Sequence, residues 1–186
     1  TKGGGFQVRV AIADVSHYVR PGTALDAEAV KRGTSCYFPD RVLPMLPHPL
    51  SNGVCSLKPD VDRLALVAIL QLDAKAKLIK SEFAEAVIRS HARLTYEEVW
   101  ECIEAGKPLR GVGDPANLVA VQKALNGRRR ERGSIDFDIA EAKIILDADG
   151  DVADVARRER NLAHRLSLIH ISEPTRLRRI SYAVFC

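Results

Sequence analysis

Tyr37 sits in Gly33-Thr34-Ser35-Cys36-Tyr37-Phe38-Pro39, between a short helical pattern and a run of prolines. A lone tyrosine beside Phe and Pro ordinarily serves packing. Its other use is stacking on the bases of a single-stranded nucleic acid, worth about 1–3 kcal/mol per base. Asp14 lies at the end of an alternating apolar stretch, where a side chain can leave a sheet without disturbing its ladder. It reads either as a cap for the next turn or as an acid lining a site. Arg128-Arg129-Arg130 and Arg132 form a basic helix end, suited to the helix dipole or to phosphate contact. Asp147, Asp149 and Asp151 alternate like the start of a calcium loop. Such a loop needs Gly at its sixth place and Glu at its twelfth, where this chain has Val152 and Arg158, so a polar hairpin turn is expected. The five histidines form no metal-binding or nucleophile–base pattern.

The elements that must hold these residues are written in periodicity and punctuation. Phe6, Val8, Val10 and Ile12 alternate with Gln7, Arg9, Ala11 and Ala13, which predicts a strand after a turn at Gly3-Gly4-Gly5. Asp26 to Lys31 predicts a short helix closed by Gly33. Pro39, Pro44, Pro47, Pro49 and Pro59 exclude regular helix from Phe38 to Pro59 and predict an ordered apolar loop. Strands are expected over Leu64–Leu72 and Ser81–Ile88, joined by Asp73–Lys77. Thr95 and Glu98 form a capping box that starts a helix ending at Gly106. Asp114-Pro115 opens another, running to about Arg132. Short strands at Ile135–Phe137, Lys143–Leu146 and Val152–Val155 follow, then a helix from about Glu159.

With 186 residues, 46% apolar and 28% charged, the chain suits one soluble domain with a real core. It has no apolar run long enough for a membrane span and no apolar signal-peptide core. A net charge of +4 permits nucleic-acid binding without arguing for it. Cys36, Cys55, Cys102 and Cys186 include no Cys-x-x-Cys pair, and are expected to be reduced, mostly buried thiols of a cytosolic protein.

Five blocks in order carry a resemblance: Val10-Ala11-Ile12-Ala13-Asp14-Val15-Ser16-His17-Tyr18-Val19, Arg32 to Pro39, Pro44-Met45-Leu46-Pro47, Leu50 to Leu57, and Asp60-Val61-Asp62-Arg63. Together they resemble the catalytic (RNB) domain of the ribonuclease II / ribonuclease R family, nearest its ribonuclease R members, over residues 6 to about 166. The resemblance implies an α+β fold: a bent, mostly antiparallel sheet surrounded by helices, part of a larger RNB domain. It implies a hydrolytic, processive 3′→5′ exoribonuclease that draws single-stranded RNA through a narrow channel and releases nucleoside 5′-monophosphates. A cytoplasmic monomer is expected. The tyrosine matching Tyr37 would clamp the terminal nucleotides. That matching Tyr96 would read the ribose, since a phenol can donate to or accept from the 2′-hydroxyl that separates RNA from DNA. Asp14 would line the catalytic centre, and Arg32 and Arg93 would contact phosphates.

The family's magnesium ligands are expected in a pattern Asp-x5-Asp-x-Asp-Asp, which does not occur in this sequence. Residues 1–186 are therefore expected to be a catalytically inactive piece of the enzyme. A non-catalytic RNA-binding module is the alternative. After Leu166 the resemblance implies a helix with two adjacent glutamates, one of them at the sugar. Ser167 to Pro174 stands there instead. Residues 167–186 are expected to be a foreign tail, similar to translated sequencing-adapter DNA. The arginines of that tail do not argue for an RNA-binding arm.

Overall fold

The computed structural model describes residues 4–133 and 141–158. In chain order the elements are β1 (Phe6–Ala13), α1 (Val15–Tyr18), α2 (Ala24–Arg32), β2 (Cys36–Tyr37), β3 (Val42–Leu43), a wide helical turn (Pro49–Val54), β4 (Asp62–Leu72), β5 (Leu78–Arg89), α3 (Tyr96–Ala105), α4 (Ala116–Glu131), β6 (Glu141–Leu146) and β7 (Val152–Arg158). The class is α+β, as the resemblance implies. The expected strand at Ile135–Phe137, the helix from Glu159 and the tail 167–186 lie outside the described residues.

The chain divides into two units. The first holds residues up to Ile12 and the stretch from Lys58 onward through α4. Its sheet has the order β1-β4-β5. β4 and β5 are antiparallel, in register from Asp62 opposite Arg89 to Leu70 opposite Ser81, with an irregularity at Gln71/Leu72. The strands are longer than their apolar patterns predict, because the joining turn is compact. Asp73 Oδ1 accepts from Lys75 N at 2.9 Å and Lys77 N at 2.8 Å, so pairing resumes at Leu78. Leu72, Ala76, Val121 and Leu125 form the buried cluster, with Phe6, Val8, Leu70 and Ala124 against it. α4 thus buries its apolar side on the sheet. Truncating Leu125 there would cost about 2–5 kcal/mol.

The helix boundaries follow their caps. Thr95 accepts from Glu98 N at 3.2 Å and Glu98 Oε2 accepts from Thr95 N at 2.7 Å, the capping box expected from sequence. α4 starts one residue later than a Pro-at-first-position helix would. Asp114 Oδ1 still accepts from Ala116 N at 2.8 Å, but Pro115 occupies the cap position.

The second unit holds residues 13–57 and 138–159. α2 begins two residues before the expected Asp26 and ends one residue after Lys31, with Thr23 as its cap, accepting from Asp26 N at 3.3 Å. The proline-rich stretch is ordered and not regular α-helix. Its β3 pairs with β2 just before it, Leu43 opposite Cys36 and Val42 opposite Tyr37. It also contains the wide turn at Pro49–Val54, where Cys55 N donates to Leu50 O at 3.0 Å. β6 and β7 pair antiparallel across the turn at Asp147–Asp151.

Candidate nucleic-acid interface

Tyr37 is presented by a hairpin braced at its base. Phe38 N donates to Arg41 O at 2.8 Å, closing the turn through Pro39 and Asp40. On one leg, Ser35 Oγ accepts from Met45 N at 2.9 Å. On the other, Arg32 Nη1 donates to Pro44 O at 3.1 Å. Met45 and Leu46 are buried beneath. The tyrosine itself is 59% exposed, so its ring is not consumed by packing within this unit. A ring fixed at its backbone and open at its face can stack on a planar ligand with little loss of side-chain freedom.

Arg32 is engaged as well as charged. Its Nε lies 2.8 Å from Glu28 Oε1, one helical turn earlier. The hydrogen bond and charge of Arg32 hold the Glu28 carboxyl below its usual range. Arg32 thus ties α2 to the hairpin. The i, i+4 spacing of Glu28 and Arg32 was a signal for this role that the motif reading passed over.

Asp14 caps α1. Its Oδ1 accepts from Ser16 Oγ at 2.6 Å and from His17 N at 3.1 Å, and its side chain is buried. Oδ2 has no hydrogen-bond partner among the described residues, so capping uses half of the carboxylate.

Arg93 and Tyr96 belong to the other unit, on the segment that leaves β5 and enters α3. Arg93 is exposed, and Tyr96 is the first residue of the helix and half-buried. Between them Thr95 is fixed by the capping box. The four proposed RNA-contacting residues are therefore divided two and two between the units.

Other candidates serve architecture. Asp147 Oδ1 accepts from Asp149 N at 3.0 Å and Asp151 N at 2.9 Å, the polar hairpin turn expected. Arg128 donates to a backbone carbonyl, Ala76 O, at 2.7 Å. Among the described residues no group of three or more His, Cys, Asp or Glu side chains could hold a metal ion. Cys36 is exposed, and Cys55 and Cys102 are half-buried, which corrects the expectation of mostly buried thiols. No helix among the described residues is long and apolar enough to cross a membrane.

Motif reading missed two groups. Arg41 lies over the Phe38 ring at 5.6 Å, a cation–π pair at the hairpin tip. Arg110 Nη2 lies 3.7 Å from Glu98 Oε1, beside the capping box. Phe38 and Arg41 are three residues apart but across a hairpin turn rather than on a helix, and Glu98 and Arg110 are too far apart in sequence for helical spacing to suggest the pair.

The RNB domain model matches residues 1–170. Ribonuclease R of Escherichia coli is 47% identical over 189 residues, an alignment covering 99% of this chain and 23% of that protein. The chain thus spans about a quarter of the length of the curated relatives it matches. Ribonuclease R of Mycoplasma genitalium, solved in complex with ribose-methylated single-stranded RNA, superposes with a TM-score of 0.85 at 28% identity, over 92% of this chain and 28% of that one. Its complex with double-stranded RNA gives 0.86 at 27% identity, over 92% and 32%. The chain belongs to the RNB domain family, that of ribonuclease R.

Proposed function

We propose that the chain is part of a hydrolytic, processive 3′→5′ exoribonuclease that degrades single-stranded RNA to nucleoside 5′-monophosphates. The observation that carries this reading is 47% identity to a ribonuclease R along nearly the whole chain. The solved relative bound to ribose-methylated single-stranded RNA supports RNA as the ligand class. In this reading Tyr37 stacks on terminal bases and Tyr96 bonds the sugar. Arg93 and Arg32 contact phosphate, and Arg32 also holds the hairpin that carries Tyr37. Asp14 lines the site with the carboxylate oxygen that its cap leaves over. Magnesium on the family's aspartates would supply water activation and charge stabilisation in the complete enzyme.

Residues 1–186 by themselves are proposed to bind RNA without hydrolysing it, because the sequence lacks the four-aspartate pattern. The second reading is an RNA-binding module without catalysis. The test uses 3′-labelled oligo(A) with magnesium and the 186-residue chain. Salt-dependent binding, weakened by Tyr37→Ala, without mononucleotide release is the expected result. Mononucleotide release would overturn the proposed inactivity. Binding that ignores Tyr37→Ala would overturn the stacking role. Hydrolysis by the whole gene product separates the enzyme from the binding module.

A further inference from the structure

The segment bearing Arg93 and Tyr96 is held at two points by one small loop. Leu109 N donates to Gly113 O at 2.7 Å and Gly113 N to Leu109 O at 2.9 Å, which closes Arg110-Gly111-Val112 into a tight hairpin. Leu109 is 3% exposed and anchors the loop. At one point the backbone of Gly111 lies against His91 and Ala92. A Cβ at Gly111 would lie 3.2 Å from Ala92 Cβ and 3.3 Å from His91 O. At the other point Arg110 lies 3.7 Å from Glu98 Oε1, while Glu98 Oε2 holds Thr95 N. Arg93, Leu94, Thr95 and Tyr96 lie in sequence between these two contacts.

We infer that the loop Leu109–Gly113 is a positioning device for RNA recognition, and that the bare backbone of Gly111 sets how closely the loop seats against the segment leading to Tyr96. The inference rests on the proposed sugar-reading role of Tyr96. A methyl at Gly111 must displace a backbone carbonyl or the Ala92 methyl by a few tenths of an ångström. Neither is the yielding end of a long side chain. The displaced chain is continuous with Thr95 and Tyr96 through three residues. A hydrogen bond from a phenol to a 2′-hydroxyl weakens steeply with misalignment. RNA-over-DNA preference is therefore the property that such a shift changes.

Gly113 supplies an internal control. Gly111 has φ 72° and Gly113 has φ 91°, so alanine strains the backbone at both. A Cβ at Gly113 meets nothing within 4 Å. The difference between Gly111→Ala and Gly113→Ala thus isolates the close approach from the strain.

The experiment measures affinity of the 186-residue chain and its variants for oligo(A) and oligo(dA) of equal length, at one salt concentration. Far-UV circular dichroism checks that each variant folds. Tyr96→Phe is expected to lower the RNA/DNA affinity ratio about 2- to 10-fold, the value of one lost hydrogen bond. Gly111→Ala is expected to lower it comparably and Gly113→Ala to leave it unchanged. The double variant Ala92→Gly/Gly111→Ala, in which the 3.2 Å contact is gone, is expected to recover part of the ratio. Equal ratios for Gly111→Ala and Gly113→Ala, with Tyr96→Phe still effective, would overturn the positioning role and leave the sugar-reading role standing. A ratio indifferent to Tyr96→Phe would overturn both. If Gly111→Ala alone does not fold, Arg110→Ala tests the second contact with the same ratio, and an unchanged ratio counts against the device.

Discussion

Arg128 donates from Nη1 to the carbonyl oxygen of Ala76 at 2.7 Å, across 52 residues of sequence. Ala76 turns the chain between β4 and β5 with φ 55°, a left-handed conformation that disfavours any residue with a Cβ. It is also 1% exposed and belongs to the buried cluster, so its methyl is retained for packing. The last turns of α4 therefore hold a strained turn shut. Arg128→Ala is expected to destabilise the chain by about 1.5–3 kcal/mol, the usual worth of a hydrogen bond to a charged group. Urea unfolding measures it. RNA affinity should keep its salt dependence in the folded variant. A salt slope lower by about one unit, with stability unchanged, would identify Arg128 as a phosphate contact instead.

The capping box gives a local prediction. Thr95→Ala removes the acceptor for Glu98 N and frees the first turn of α3. The expected loss is about 1 kcal/mol. Trp100, the single tryptophan, lies within α3 and reports its fraying by emission. An emission spectrum and urea midpoint identical to the parent chain would show that the helix start is held by tertiary contacts alone.

Local signals explain what was legible. The box at Thr95 and Glu98 spans three residues, so α3 was placed to within a residue. Alternation from Phe6 to Ile12 fixed β1 for the same reason. The β2–β3 hairpin was hidden because its strands have two residues each and sit among prolines. The loop at Gly111 was hidden because its partners, His91 and Ala92, are about twenty residues away. Tyr37 was singled out by its motif. Its exposure could not be read, since exposure depends on what the hairpin packs against. Arg32 is legible in the sequence as a cation near the site, but its bond to Pro44 O is not, since that partner lies twelve residues away.

Asp62 and Arg89 are cross-strand partners at one end of the β4–β5 ladder, the carboxylate 2.8 Å from Arg89 Nε. The hydrogen bond and charge of Arg89 hold the Asp62 carboxyl below its usual range, and Asp62 raises Arg89. A carboxyl lowered in the folded state stabilises above its unfolded value and loses that contribution as pH falls through the folded value. Asp62→Asn should thus unfold at lower urea than the parent at pH 7. The gap should close below about pH 4, where carboxyls begin to protonate. Both side chains are well exposed, so the gap is small and salt should shrink it. A gap that persists unchanged to pH 2 would assign the effect to packing or amide geometry rather than ionisation.

Asp14 separates its two roles by substitution. Asparagine caps as well as aspartate, through an oxygen that can still accept from Ser16 Oγ and His17 N. Asp14→Asn should therefore hold stability within about 0.5 kcal/mol of the parent, whereas Asp14→Ala should lose about 0.5–2 kcal/mol. The charge is a different matter. An acid that lines an RNA site repels phosphate, so Asp14→Asn should bind short single-stranded RNA more tightly at low salt. The advantage should fade as salt rises, because screening shortens the reach of the lost repulsion. Fluorescence anisotropy at two salt concentrations decides the matter. Equal affinities for parent and Asp14→Asn at both would leave Asp14 a helix cap and remove it from the site.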